Sequence, residues 1–197
     1  YVGVEVGIPN FANLFMTSPE INIDPTIAGS VVGTYWFLMM IGRLCGASIG
    51  AKVSSRAMLT VVSTVGIVLV LGAIFCADNI LVNMPVFKSD ISFGFAQVPV
   101  NVMLLILCGL CTSVMWGGIF NLAVEGLGKY TAAASGLFMV MVCGGGILPL
   151  IQGGVADFAG FLNSYWVIAL GLAYILFYAA IGSKNVNTDI PTDDYEA

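Results

Sequence analysis

The chain has 197 residues, of which 59% are hydrophobic and only 9% charged; 6 basic and 11 acidic side chains leave a formal net charge of −5. A soluble domain carries about a quarter charged residues, so these side chains are too few to solvate a globule, and the mean hydropathy of +1.00 agrees. Histidine is absent from the sequence, which excludes a Ser-His-Asp triad, a Cys-His pair and a His-containing zinc site. The acidic balance, without basic clusters, argues against nucleic acid as a partner. The composition is that of an all-α integral membrane protein, not an enzyme, with the lipid bilayer as partner and no metal or cofactor required.

A bilayer core of about 30 Å needs about 20 helical residues. Uncharged runs of 21 residues (Arg56 to Asp78), 34 (Asp90 to Glu125), 27 (Lys129 to Asp157) and 26 (Asp157 to Lys184) meet that length. Their apolar pattern is continuous rather than alternating, which favours helices over barrel strands. The expectation is six transmembrane helices near 1–17, 26–50, 57–77, 99–123, 131–156 and 163–183. They form one bundle, 1–183, followed by a polar, acidic and disordered cytoplasmic tail, 184–197.

The first span, from YVGVEVGIPNF onward, is short, and its cytoplasmic end is expected to lie upstream of Tyr1, so that the chain reads as a fragment of a longer membrane protein. If this helix leaves the membrane near Met16 to Ser18, Glu5 sits about 18 Å deeper at helical rise, near the bilayer midplane. An ionisable group there costs about 2.5–3.5 kcal/mol on insertion scales, so it is expected to face a cavity or a partner; the alternative, a shorter first helix, puts Glu5 at the cytoplasmic interface. Asn10 and Asn13 fall about 140° and 80° from Glu5 on the same helix and extend one broad polar face.

In the second span Gly42, Gly46 and Gly50 recur every fourth residue, as Gly29 and Gly33 do at its start, and suit close helix packing. Tyr35 and Trp36 lie well inside this span as core or cavity wall. Arg43, Lys52 and Arg56 are assigned to the second-to-third connection, and with Lys129 they place that side in the cytoplasm. Glu20, Asp24, Asp78, Lys88, Asp90 and Asp157 fall on the other side.

The fourth span carries Cys108 and Cys111 in a CxxC whose flanks are continuous membrane helix; with Cys45, Cys76 and Cys143 these are expected to be packing residues. Further along, Trp116 and Asn121 flank Gly117 and Gly118. An aromatic ring stacks on a sugar face while amides and carboxylates bond hydroxyls, so Glu5, Asn10, Asn13, Trp36, Trp116 and Asn121 are the candidate substrate-binding residues for a neutral polyol. In the fifth span Gly144, Gly145 and Gly146 precede Pro149, a combination that weakens a helix and serves either packing or a hinge. Trp166 reads as an interfacial anchor of the last helix.

The run YVGVEVGIPNF, the IGR ending at Arg43, WGGIFNLAVEGLGKYT and GGGILPLIQGGVAD together resemble the fucose–galactose–glucose:proton symporter family of the major facilitator superfamily, in particular its bacterial glucose/galactose branch. The resemblance covers nearly the whole chain and corresponds to the C-terminal six helices of a twelve-helix fold. It implies a monosaccharide carried with protons by alternating access in a bacterial inner membrane, with an N-terminal six-helix half as partner. It places Trp116 at an aromatic position linked to the sugar cavity, and Gly117-Gly118 where some members have Pro-Thr. It places Glu5 where the fucose carrier has glutamine, and the family's main proton-coupling carboxylates in the other half. Gly46 with Lys52 and Arg56 resembles a degraded copy of the superfamily's loop motif. The alternative from another class is a self-contained six-helix channel or scaffold without sugar transport.

Overall fold

A computed structural model describes residues 1–77, 79–88 and 90–184; the acidic tail expected to be disordered lies, beyond Lys184, outside the described residues. Helix α1 spans Val2–Thr17, α2 Pro25–Gly50 and α3 Ser55–Phe75. Strands β1 (Leu81–Phe87) and β2 (Phe93–Pro99) form a hairpin, and α4 spans Val100–Val124. The next stretch, Gly128–Ala159, contains α5 (Thr131–Val140) and α6 (Gly144–Ala159), and α7 covers Phe161–Phe177.

Among the described residues, five helical stretches are long and apolar enough to cross a membrane: Pro25–Gly50, Ser55–Phe75, Val100–Val124, Gly128–Ala159 and Phe161–Gly182. The chain is a multi-pass membrane protein. Helix α1, with 16 residues, is about 24 Å long at helical rise and falls short of a full crossing. Five stretches therefore qualify where six helices were expected.

Local chemistry sets several of the ends. The Asp24 carboxylate accepts the Thr26 N–H at 2.8 Å, with Pro25 in the first turn, so α2 starts with a satisfied donor. That bond holds the Asp24 carboxyl below its ordinary range. Ser54 caps α3 in the same way, through the Ala57 N–H. Gly160, at φ 90°, makes the turn from α6 into α7.

Helix α1 sits centrally, packed against α2, α4, α6 and α7, while α3 packs on α4 and α7. Tyr35, Tyr165, Ile8 and Met115 are completely buried in the shared core. Where α2 crosses α4, a Cβ on Gly42 would overlap the Ser113 side chain, and one on Gly46 would overlap Val114. The other members of the stripe differ from the expected close packing. Gly29 and Gly50 face open space, and Gly33 makes only ordinary contact with the Phe87 carbonyl. A repeat of small residues marks a crossing only where a neighbouring helix is near, and α4 approaches α2 at Gly42 and Gly46.

Two further features depart from the sequence reading. The connection between α3 and α4 is a β-hairpin, with Leu81 paired to Pro99 and Phe87 to Phe93. Its buried Met84, Val86, Ala96 and Val98 alternate with outward residues, a period-2 pattern concealed by the apolar composition of the segment. The hairpin is tied to α2, since the Phe87 N–H donates to Thr34 Oγ1 at 2.9 Å and Phe37 stacks on Phe87 at 4.7 Å.

Second, Arg43 is not in the second-to-third connection: it lies inside α2, seven residues before that helix ends at Gly50. Arg43 was grouped with Lys52 and Arg56 as a loop charge although the expected span ran to 50; a charge facing an opposite one remains within a helix. Of its companions, Lys52 lies in the turn after α2, and Arg56 is the second residue of α3, donating to the Ser183 carbonyl at 3.2 Å. The fifth stretch, in contrast, is interrupted next to the glycines that were expected to weaken it. A 3-10 turn at Met141–Cys143 separates α5 from α6 immediately before Gly144, Gly145 and Gly146, and Pro149 continues inside α6.

The cysteines fit their expected packing role in part. All five are free; Cys108 and Cys111 are buried within α4, whereas Cys45 and Cys143 are exposed. Outward apolar side chains such as Leu150 and Phe158 cover the far side of α6, an arrangement suited to hydrocarbon rather than water.

Candidate functional site

Pro9 lies inside α1 and has no N–H to give to the Glu5 carbonyl four residues earlier. The Tyr35 hydroxyl of α2 donates to that carbonyl at 3.1 Å and lies 3.0 Å from Thr112 Oγ1 on α4. The proline therefore ties α1 to α2 and α4 at the level of Glu5. The Tyr165 hydroxyl similarly reaches the Ile8 carbonyl from α7, at 2.8 Å.

Beside this junction lies a cavity of about 770 Å³. Its wall includes Glu5 from α1, Arg43 and Gly46 from α2, and Ser113, Trp116 and Asn121 from α4. The Glu5 side chain is 14% exposed, and its Oε1 stands 3.4 Å from an Arg43 guanidinium nitrogen. The same nitrogen lies 3.5 Å from the Met39 sulfur. The Trp116 ring is half-buried, tilted against Tyr1 at 5.9 Å and Phe138 at 5.2 Å between centroids. Tyr1 is itself held by a 3.0 Å bond from its hydroxyl to the Thr112 carbonyl.

The cavity thus offers a carboxylate, a guanidinium, an amide and an indole. Three of the six candidate binding residues, Glu5, Trp116 and Asn121, meet in it. Trp36 lines a different groove of about 930 Å³, with Phe37, Phe87 and Phe93 beneath the hairpin. Asn10 is exposed and Asn13 half-buried, and neither lines this cavity. Trp166 packs edge-on against Phe75 at 6.0 Å. No group of three or more His, Cys, Asp or Glu able to hold a metal exists among the described residues.

Sequence reasoning passed over Arg43 as a cavity residue and Gln152 altogether. Gln152 of α6 is fully buried, donates to Ser164 Oγ at 3.4 Å and has an oxygen without a partner. The available signal for Arg43 was the presence of one opposite charge inside a neighbouring apolar run.

The fold and this cavity define a multi-pass membrane protein with a chamber between its helices whose largely apolar wall carries a few polar side chains and an indole. No family model matches the chain. It is similar to the glucose/galactose transporter of Brucella abortus, with 30% identity over 94% of this chain and 40% of that protein. It is also similar to the putative glucose/galactose transporter of Helicobacter pylori, with 31% identity over 93% of this chain and 41% of that protein. The L-fucose-proton symporter of Escherichia coli matches 46% of the chain at 33% identity. The chain spans about two fifths of the first two relatives, and all three are transporters by name.

Proposed function

We propose that the chain is the C-terminal six-helix half of a monosaccharide carrier that moves a hexose with a proton by alternating access. The observation that carries this reading is the meeting of Glu5, Trp116 and Asn121 in one cavity between membrane helices. The ring face stacks on a sugar ring while the carboxylate and amide bond its hydroxyls. The names and partial coverage of the relatives support a sugar as cargo and a second six-helix half as partner. Binding sites of such carriers lie between two repeats, near the bilayer midplane. The reading takes residues 1–183 as one bundle and the cytoplasmic membrane of a bacterium as its location. In it, the 3-10 turn before Gly144, Gly145 and Gly146 acts as the hinge of the fifth stretch, with Pro149 just beyond.

The test is uptake of labelled galactose by the complete protein in proteoliposomes under an imposed inward proton gradient. Concentrative uptake that a protonophore abolishes is expected, with none from residues 1–197 alone. Uptake that equilibrates without concentrating removes the proton from the reading. Saturable, proton-driven uptake by the 197-residue chain would overturn the half-carrier assignment.

A further inference from the structure

Glu5 and Arg43 form the one ion pair among the described residues, and it is an open pair. Arg–carboxylate pairs that satisfy each other are bidentate, with two N–H···O bonds at about 2.7–2.9 Å. Here a single nitrogen approaches a single oxygen at 3.4 Å, and its other neighbour is the Met39 sulfur. The Tyr1 hydroxyl, itself bonded to the Thr112 carbonyl, is a close neighbour of both side chains, and the hydrogen bonds among the described residues include no further protein partner for the carboxylate or the guanidinium. The Arg43 side chain is 58% exposed, and both residues line the cavity that holds Trp116.

We propose that Arg43 and Glu5 together grip two adjacent hydroxyls of the carried sugar, which makes Arg43 a specificity-determining residue. One hydroxyl donates its proton to the Glu5 carboxylate, and the oxygen of its neighbour accepts an N–H from the Arg43 guanidinium. A vicinal diol supplies that donor and acceptor a short distance apart and carries no charge. An anionic ligand meets repulsion from Glu5 and a cationic one from Arg43, so the pair selects neutral polyols. Lysine cannot replace the arginine here, because a point charge lacks the planar fork that reaches carboxylate and hydroxyl together.

The inference rests on the carrier reading, and its test separates the two. In the complete protein, galactose and its single-deoxy analogues compete against labelled galactose. The unsubstituted protein is expected to lose about tenfold or more in affinity for two analogues whose missing hydroxyls are adjacent. Arg43→Gln is expected to weaken galactose itself by a similar factor and to abolish the discrimination for one of that pair. Arg43→Lys keeps the charge inside the helix and is expected to show the same flattened series, so the result stands if Arg43→Gln fails to fold. Galactose binding by either variant with wild-type affinity and wild-type discrimination overturns the diol assignment alone. Absence of hexose binding by the unsubstituted protein overturns the carrier reading and the diol assignment with it.

Discussion

The Tyr35 hydroxyl donates to the main-chain carbonyl of Glu5, the carbonyl that Pro9 leaves without its helical donor. A buried carbonyl without a partner costs about 1–3 kcal/mol. Tyr35→Phe is therefore expected to destabilise the complete protein by about that amount. Pro9→Ala restores the N–H within α1, so the tyrosine change is expected to cost markedly less in that background. Denaturant unfolding of the four proteins of this double-mutant cycle measures the coupling. Equal costs in both backgrounds would assign Tyr35 to its Thr112 contact instead.

Trp116 and Trp166 provide a matched pair for testing the cavity. Trp116 lines it, whereas Trp166 packs on Phe75 elsewhere. Trp116→Ala is expected to weaken hexose binding about tenfold or more, as loss of a stacking ring does, and Trp166→Ala to leave it unchanged. Equal, small effects in a binding titration would make Trp116 a packing residue.

The α2–α4 crossing gives a stability prediction of opposite signs. A side chain at Gly46 meets Val114, whereas one at Gly29 meets nothing. Gly46→Val is expected to cost about 1–3 kcal/mol through overpacking. Gly29→Ala is expected to be neutral or to stabilise by up to about 1 kcal/mol through helix propensity. Thermal unfolding in detergent, followed by tryptophan fluorescence, compares them; an unaffected Gly46→Val would mean the two helices pack less closely there.

The cap of α2 gives a pH dependence. Since the Thr26 N–H lowers the Asp24 carboxyl in the folded state, the unfolded chain binds this proton more readily. The stabilisation is fully present above the ordinary carboxyl range and is lost as pH falls through the depressed folded value. Asp24→Ala is expected to lower the melting temperature at pH 7, and the difference from wild type to shrink in acid. A difference that stayed constant with pH would show that the charge of Asp24 plays no part.

Much of the fold was written in composition and spacing. Long uncharged runs place helices in a bilayer because a buried charge is costly and the hydrocarbon core has a definite thickness. The ends expected at 50, 99 and 123 fall within one residue of the structure's own at Gly50, Val100 and Val124. The same logic misplaced Arg43, because counting charges treats each as isolated and Glu5 stands opposite it. It also missed the hairpin, since a half-buried strand rich in apolar residues on both faces has no polar beat to reveal its alternation.

The site divides along similar lines. Glu5, Trp116 and Asn121 were legible because a carboxylate, an indole and an amide stand out against an apolar background. That they share one chamber, while Trp36 lies under the hairpin, depends on how α1, α2 and α4 rotate about their axes. One sequence sets the apolar length of each helix, since each residue contributes its own transfer energy to lipid. Which faces meet is a property of pairs distant in the chain: Gly46 against Val114, Tyr35 against the carbonyl freed by Pro9, Arg43 against Glu5. Those pairings are selected only when all the helices pack at once, and for that reason the tertiary structure alone decided them.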